Sequence, residues 1–337
     1  MSSSSSPDPP ETPEVRLDLE DIQADEAEVE HETERALGVQ HAAKRERGRN
    51  WVTLGWALPG FVWLAFYLIA PIVFIILVSF WVRTDTGFDS GSWTLHNYGT
   101  LLHPFSLNNA YWSNMWRSFI TSVIAVVACL VFGFPVAYFL AMKVQRLEYQ
   151  IGLFIVALAP FWTSFTTRSV AWTYPLMGSH GMLNIILVKL GLSSYNSPLI
   201  DTQFSLLSVR LAMIQLYILF MVTPIFFLLS QVDRHAIEAA RDLGGNWIRT
   251  FREVILPQTM PGIVIGSIFI FVLTMGEYGT VLVVGQNYVQ SVGTIVNSYI
   301  VGAVQYPQGA AAAVLLVAAL IAGVFVITRF SNLREDL

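Results

Sequence analysis

Glu238-Ala239-Ala240-Arg241-Asp242-Leu243-Gly244, followed after nine residues by Val254-Ile255-Leu256-Pro257, lies between two long apolar stretches. Asp233, Arg234, Glu238, Arg241, Asp242, Arg249, Arg252 and Glu253 all fall within 21 residues, the one place beyond the N-terminal tail where charge clusters. Ala239, Leu243, Trp247 and Phe251 recur at every fourth position, so the spacing predicts one face of a short helix. A charged helix with an apolar stripe, set between membrane-length segments, is suited to docking in a groove outside the membrane.

The surrounding composition makes lipid the solvent. Hydrophobic residues form 54% of the chain and charged residues 13%, against about 25% charged in a soluble domain. Charge is concentrated at the start: residues 1–50 hold 13 of the 24 acids and 6 of the 19 bases. The net charge of −5 therefore belongs to the tail and carries no information about a substrate. Residues 1–50 are too polar to build a core and are expected to form an acidic, disordered cytoplasmic extension with a basic end next to the membrane. No apolar run precedes Trp51, so no cleavable leader is expected. Cys129, the single cysteine, lies in an apolar run and reads as a small packing residue.

About 20 apolar residues cross a bilayer as a helix, and six stretches qualify: Leu54–Val82, Phe119–Met142, Ile151–Tyr174, Leu211–Val232, Gly262–Val284 and Ala310–Thr328. The first has length enough to tilt or to bend at Pro71. Met182–Leu192 is too short to span and reads as an interfacial helix on the outer side. Lys and Arg in the connections number twelve on one side and four on the other, and Gly285–Gly309 has no charged residue. The excess places both termini and the Glu238 segment in the cytoplasm. Pro71, Pro135, Pro160 and Pro224 fall inside the first four spans. Proline is common in membrane helices, and kinked spans also suit a wet path whose walls satisfy the freed carbonyls.

The Glu238-Ala239-Ala240 run, Gly244 separated by nine residues from Val254-Ile255-Leu256-Pro257, and the continuation Pro261-Gly262-Ile263 resemble the EAA loop of binding-protein-dependent ABC importer permeases. Val254 is the departure, standing where that family has isoleucine. The resemblance implies an all-α integral membrane protein of the bacterial inner membrane, with six transmembrane helices in the type I importer fold over residues 51–337. It also implies a coupling segment, residues 233–257, seated in a cleft of a cytoplasmic ATPase, with Glu238, Ala239, Ala240, Asp242, Leu243, Gly244, Leu256 and Pro257 at its centre. Gly244 would allow a sharp change of direction, and Pro257 would stop the segment before the fifth span.

Pro160-Phe161-Trp162-Thr163-Ser164-Phe165, Arg168, Ala171-Trp172, Gly181-Met182-Leu183-Asn184, Gly133 to Ala141 and Gly276-Glu277-Tyr278-Gly279 resemble the spermidine/putrescine permeases. Relatives handling ferric iron, thiamine, phosphonates or opines share much of this pattern. The implied partners are an ABC ATPase dimer, a second, related but different permease chain, an external substrate-binding protein and membrane lipid, with no nucleic acid. No cofactor is expected in this chain; none of Lys44, Lys143 and Lys189 follows a glycine, so no phosphate loop is present and ATP-Mg would be bound by the partner ATPase.

Ionisable groups inside spans are candidates for the substrate path, and here they are Arg168 and Glu277. At about 1.5 Å per residue, straight helices would place Arg168 roughly 26 Å and Glu277 roughly 24 Å from the inner boundary. The two could form a buried ion pair, or Glu277 could receive an ammonium group with Trp162, Trp172, Tyr174 or Tyr278 supplying π faces. Those aromatics also suit an interfacial belt. An integral-membrane enzyme would need a convergent catalytic set, and the six histidines all fall in the tail or the connections. An ion-coupled transporter could use Glu277 but gives no reason for the Glu238 segment.

Overall fold

The computed structural model describes residues 58–84, 87–102, 110–144, 146–173, 178, 180–194, 204–232, 234–242, 244–286 and 288–332. The chain divides into two compact units, residues 1–72 and 73–337. The acidic tail and its basic end lie outside the described residues, as do Tyr174, Asp233 and Leu243.

α1 (Leu58–Ser79) is one unbroken helix through Pro71. It leads to an antiparallel hairpin, β1 (Trp81–Thr84) and β2 (Gly87–Trp93), and to α2 (His96–Leu102). α3 (Ala110–Lys143) ends in a π-helical turn; α4 (Leu147–Trp162), α5 (Phe165–Ala171) and α6 (Met182–Lys189) follow. α7 (Leu206–Leu229), α8 (Arg234–Asp242) and α9 (Trp247–Met275) form the middle of the chain. α10 (Gly279–Gly285), α11 (Val292–Gly302) and α12 (Tyr306–Asn332) complete it.

Five of these helices are long and apolar enough to cross a membrane, and α4 with α5 passes the same test only as a bent pair, a broken span or a re-entrant loop. That bend corrects the straight third span. Pro160 has no N–H to continue the α ladder, so Ala159 N–H bonds the Val156 carbonyl and the helix tightens to a 3-10 turn. Thr163 is extended, and α5 leaves at 86° to α4. Counting residues along one axis therefore misplaces the depth of Arg168.

Among the described residues the fold is all-α apart from the β1–β2 hairpin, which hydropathy did not announce. Gly87 sits at φ +136°, and the register pairs Val82 with Asp89, Arg83 with Phe88 and Thr84 with Gly87. Trp81 and Phe88 lie 4.9 Å apart across it, and the Asn97 amide donates to the carbonyls of Ser79 and Trp81, both at 3.0 Å. Ser92 Oγ and Gly91 N–H donate to Asp89 and hold its carboxyl below the usual range.

α7 is the hub, more buried than any other crossing helix. Ala212, Met213, Leu216, Met221 and Ile225 are closed off from solvent between α3 and α9. Lipid is as apolar as leucine, so close packing rather than hydrophobic transfer must hold such helices together. Gly262-Ile263-Val264-Ile265-Gly266 supplies it. A Cβ on Gly262 would lie 2.9 Å from the Pro224 carbonyl oxygen, and one on Gly266 would lie 3.1 Å from Met221 Cα. Cys129 is fully buried and donates to the Ile214 carbonyl at 3.6 Å.

Arg117 and Arg210 lie on α3 and α7 rather than in connections, because both helices start earlier than hydropathy alone indicates. Replacing Gly262 with leucine should separate α7 from α9 at a cost of about 1–3 kcal/mol or more. Thermal denaturation in detergent should show a clear loss for Gly262→Leu and none for Gly152→Leu, whose site has open space.

Candidate coupling segment and substrate path

The charged segment is a helix, a turn and the start of a second helix, rather than one helix. α8 stops at Asp242; Gly244 takes φ +80°, and Gly245 N–H bonds back to the Ala240 carbonyl at 3.0 Å. This is a Schellman closure, which needs the left-handed residue that glycine provides. Gly245 is equally constrained, since a Cβ there would sit 2.5 Å from Ala240 O. Asn246 then caps α9, its side-chain oxygen accepting from Arg249 N–H at 2.8 Å. Arg249 pairs with Glu253 at 3.0 Å one turn along.

The expected stripe is therefore split. Trp247 and Phe251 lie on α9, stacked at 5.5 Å, and Phe251 sets its edge against Phe134 of α3. Phe251 packs on the protein's own bundle, whereas Trp247 is 56% exposed. On α8, Ile237 packs inward, while His235, Glu238, Ala239 and Asp242 are exposed. Their i, i+3, i+4, i+7 spacing puts all four on one open face. Leu243 lies outside the described residues. Pro257 does not stop the segment either. The helix widens to a π turn over Phe251–Ile255, Leu256 N–H bonds Phe251 O, and Pro257 is carried inside α9. Widening the ladder ahead of a proline gives its ring room and leaves the helix continuous.

At the other end of α9 the helix breaks. Gly276, Glu277 and Tyr278 are not helical, and α10 starts afresh at Gly279. This corrects the expectation of one span through Val284. The break turns the Glu277 carboxylate onto two donors: Tyr217 OH of α7 to Oε2, and Thr280 N–H to Oε1 at 2.7 Å. The Thr280 hydroxyl is buried without a hydrogen-bond partner. Glu277 is half-buried, and Tyr278 beside it is 44% exposed.

Arg168 forms no ion pair with Glu277. The ion pairs among the described residues join His235 with Glu238 and Arg249 with Glu253. The Arg168 guanidinium lies 5.8 Å from the Phe161 ring and 6.0 Å from Phe165, and its Nε is buried without a partner. Phe165 in turn contacts Tyr217 at 5.8 Å, so one ring stands between Arg168 and the tyrosine that holds Glu277. Trp162 is 81% exposed at the α4–α5 bend, whereas Trp172 packs against the main core. A further chain of rings runs from Tyr217 through Phe220 to Phe161 and Phe269. Phe220, Phe161 and Phe269 line an open apolar cavity of about 340 Å³ with Thr223 and Pro224.

Residues 150–335 match the family of binding-protein-dependent transport system inner membrane components. This chain belongs to that family. It is 31% identical over 273 residues to the spermidine/putrescine transport system permease protein PotB of Haemophilus influenzae, covering 81% of this chain and 92% of that one. PotB of Escherichia coli is 31% identical over 254 residues, covering 75% and 88%. The inner membrane ABC transporter permease protein YdcU of Escherichia coli is 28% identical over 197 residues, covering 55% of this chain and 59% of that one. The fold is shared with a solved bacterial ABC transporter involved in the import of the acidic polysaccharide alginate, at a TM-score of 0.56 and 16% identity, over 86% of this chain and 97% of that one. This binding-protein-dependent component is thus an inner-membrane permease subunit of an ABC importer, and its family is a transport rather than a catalytic one.

Sequence reading did not find Tyr217, Thr280 or Gly245. A tyrosine inside an apolar helix was the available signal, because its hydroxyl needs a partner away from water. Gly244→Val should strain the left-handed turn by about 1–3 kcal/mol, and Gly245→Ala should displace Ala240. Hydrogen exchange in the purified permease should rise over residues 234–246 in both variants while α7 stays protected.

Proposed function

We propose that this permease subunit imports polyamines, spermidine or putrescine, received from an external binding protein and driven by a separate cytoplasmic ATPase dimer. The observation that carries the substrate is Glu277: a carboxylate in a helix break inside the membrane region, oriented by two donors and flanked by an exposed tyrosine. A carboxylate at membrane depth costs about 2.5–3.5 kcal/mol, a cost an ammonium group offsets through a charge-assisted hydrogen bond. A thin polycation can place successive ammonium groups against one carboxylate and the ring faces around it. The likeness to the two PotB permeases supports the same class.

The segment 233–257 is the seat of the ATPase in this reading: Glu238, Ala239 and Asp242 on the exposed face of α8, joined by Ala240, Leu243, Gly244, Leu256 and Pro257 of the EAA pattern. Both termini and this segment face the cytoplasm by the distribution of Lys and Arg. ATP-Mg binds the ATPase, and a second, related permease chain completes the path. A different solute is the second reading. Arg168, with Nε unbonded and its guanidinium over two rings, offers a cation to an anionic or zwitterionic substrate.

Labelled spermidine uptake into proteoliposomes holding the full assembly tests the substrate. Glu277→Gln removes a charge-assisted bond and should slow uptake about tenfold or more, with the complex still assembled. Unchanged uptake in that variant, or no competition by putrescine and strong competition by an anionic solute, would turn the reading toward Arg168. For coupling, Glu238→Lys should abolish copurification of the ATPase or its stimulation by the loaded binding protein; full stimulation in that variant would remove α8 from this role.

A further inference from the structure

The break that carries Glu277 is clamped from outside α9 and α10 by a segment that has no apparent part in transport: the turn into α11. Ser291 Oγ donates to the Glu277 carbonyl at 2.8 Å. The same hydroxyl accepts from Thr294 N–H at 3.2 Å, so one side chain caps α11 and fastens it to the break. Gly293 lies against the break itself. A Cβ there would sit 2.8 Å from the Gly276 carbonyl oxygen, 3.0 Å from Tyr278 Cβ and 3.1 Å from the Glu277 carbonyl oxygen. Val292 N–H is held by Ser118 Oγ of α3 at 2.9 Å, which anchors the clamp to the bundle.

Three non-helical residues would otherwise be free to rotate about their backbone, and the Glu277 carboxylate with them. Tyr217 and Thr280 fix the carboxylate, but only for one placement of the Glu277 backbone. We infer that Ser291 and Gly293 are positioning residues for the Glu277 site: they set the backbone of the break so that the carboxylate meets Tyr217, Thr280 and the substrate cation together. The inference rests on Glu277 touching substrate. It gives the uncharged connection Gly285–Gly309 a task, and it links the segment opposite the coupling turn directly to the site.

Labelled spermidine uptake by the full assembly, with the variants combined, tests it. Ser291→Ala should slow uptake about tenfold, since small misplacements of a binding group are costly, and Ser291→Thr, which keeps the hydroxyl, should restore it. Thr294→Val removes the other half of the α11 cap and leaves the bond to Glu277 O; it should stay within about twofold of the wild type. The deciding comparison is Ser291→Ala with Glu277→Gln. If Ser291 acts through Glu277, the double variant is no slower than Glu277→Gln alone. Multiplying losses, a wild-type rate in Ser291→Ala, or an equal loss in Thr294→Val would overturn the positioning role while leaving the substrate reading intact. A wild-type rate in Glu277→Gln would overturn both.

Discussion

A half-buried carboxylate at a helix break takes its hydrogen bonds from the protein, and the architecture around Glu277 is organised by that requirement. A continuous helix cannot meet it, since its backbone donors are already used within the ladder. α9 stops at Met275, and restarting at Gly279 brings the free N–H of Thr280 to one carboxylate oxygen. α7 brings Tyr217 to the other. The close crossing of α7 and α9 at Gly262 and Gly266 is what lets a side chain of one reach the end of the other.

The two ends of α9 carry the two candidate sites. Trp247 to Met275 is one helix of 29 residues, about 43 Å at a rise of 1.5 Å per residue. Its near end receives the Schellman turn of α8, and its far end is the break. Pro257 and Pro261 lie inside it without interrupting it, because a π turn takes up the strain at Pro257. α8 and Glu277 are therefore joined by a single continuous element, with the break only at its far end.

Much of this was legible in the sequence. The apolar stretches marked six spans, because lipid thickness sets a length that any crossing helix must meet. The charged segment stood out, and the Gly244 turn was foreseen, since glycine takes positive φ without strain. What escaped depended on contacts distant in sequence. Pro160 pointed to a kinked span, not to a turn of 86°. The stripe from Ala239 to Phe251 satisfied helical periodicity, yet Gly244 and Gly245 end one helix and start another inside it. Arg168 and Glu277 looked like partners at similar depth, but depth counted along straight helices fails when α5 turns by 86° and α9 ends at Met275. Tyr217 and Ser291 lie 60 and 14 residues from Glu277, so nothing local in the sequence pairs either of them with it.

The most direct measurement is a cryo-EM map of the assembled transporter trapped with spermidine. The arrangement described here predicts elongated density with an amine nitrogen within about 3 Å of the Glu277 carboxylate, with Tyr217 still bonded to it and the turn at Ser291 unchanged. Spermidine density that passes elsewhere, with Glu277 turned away from it, would contradict the central claim.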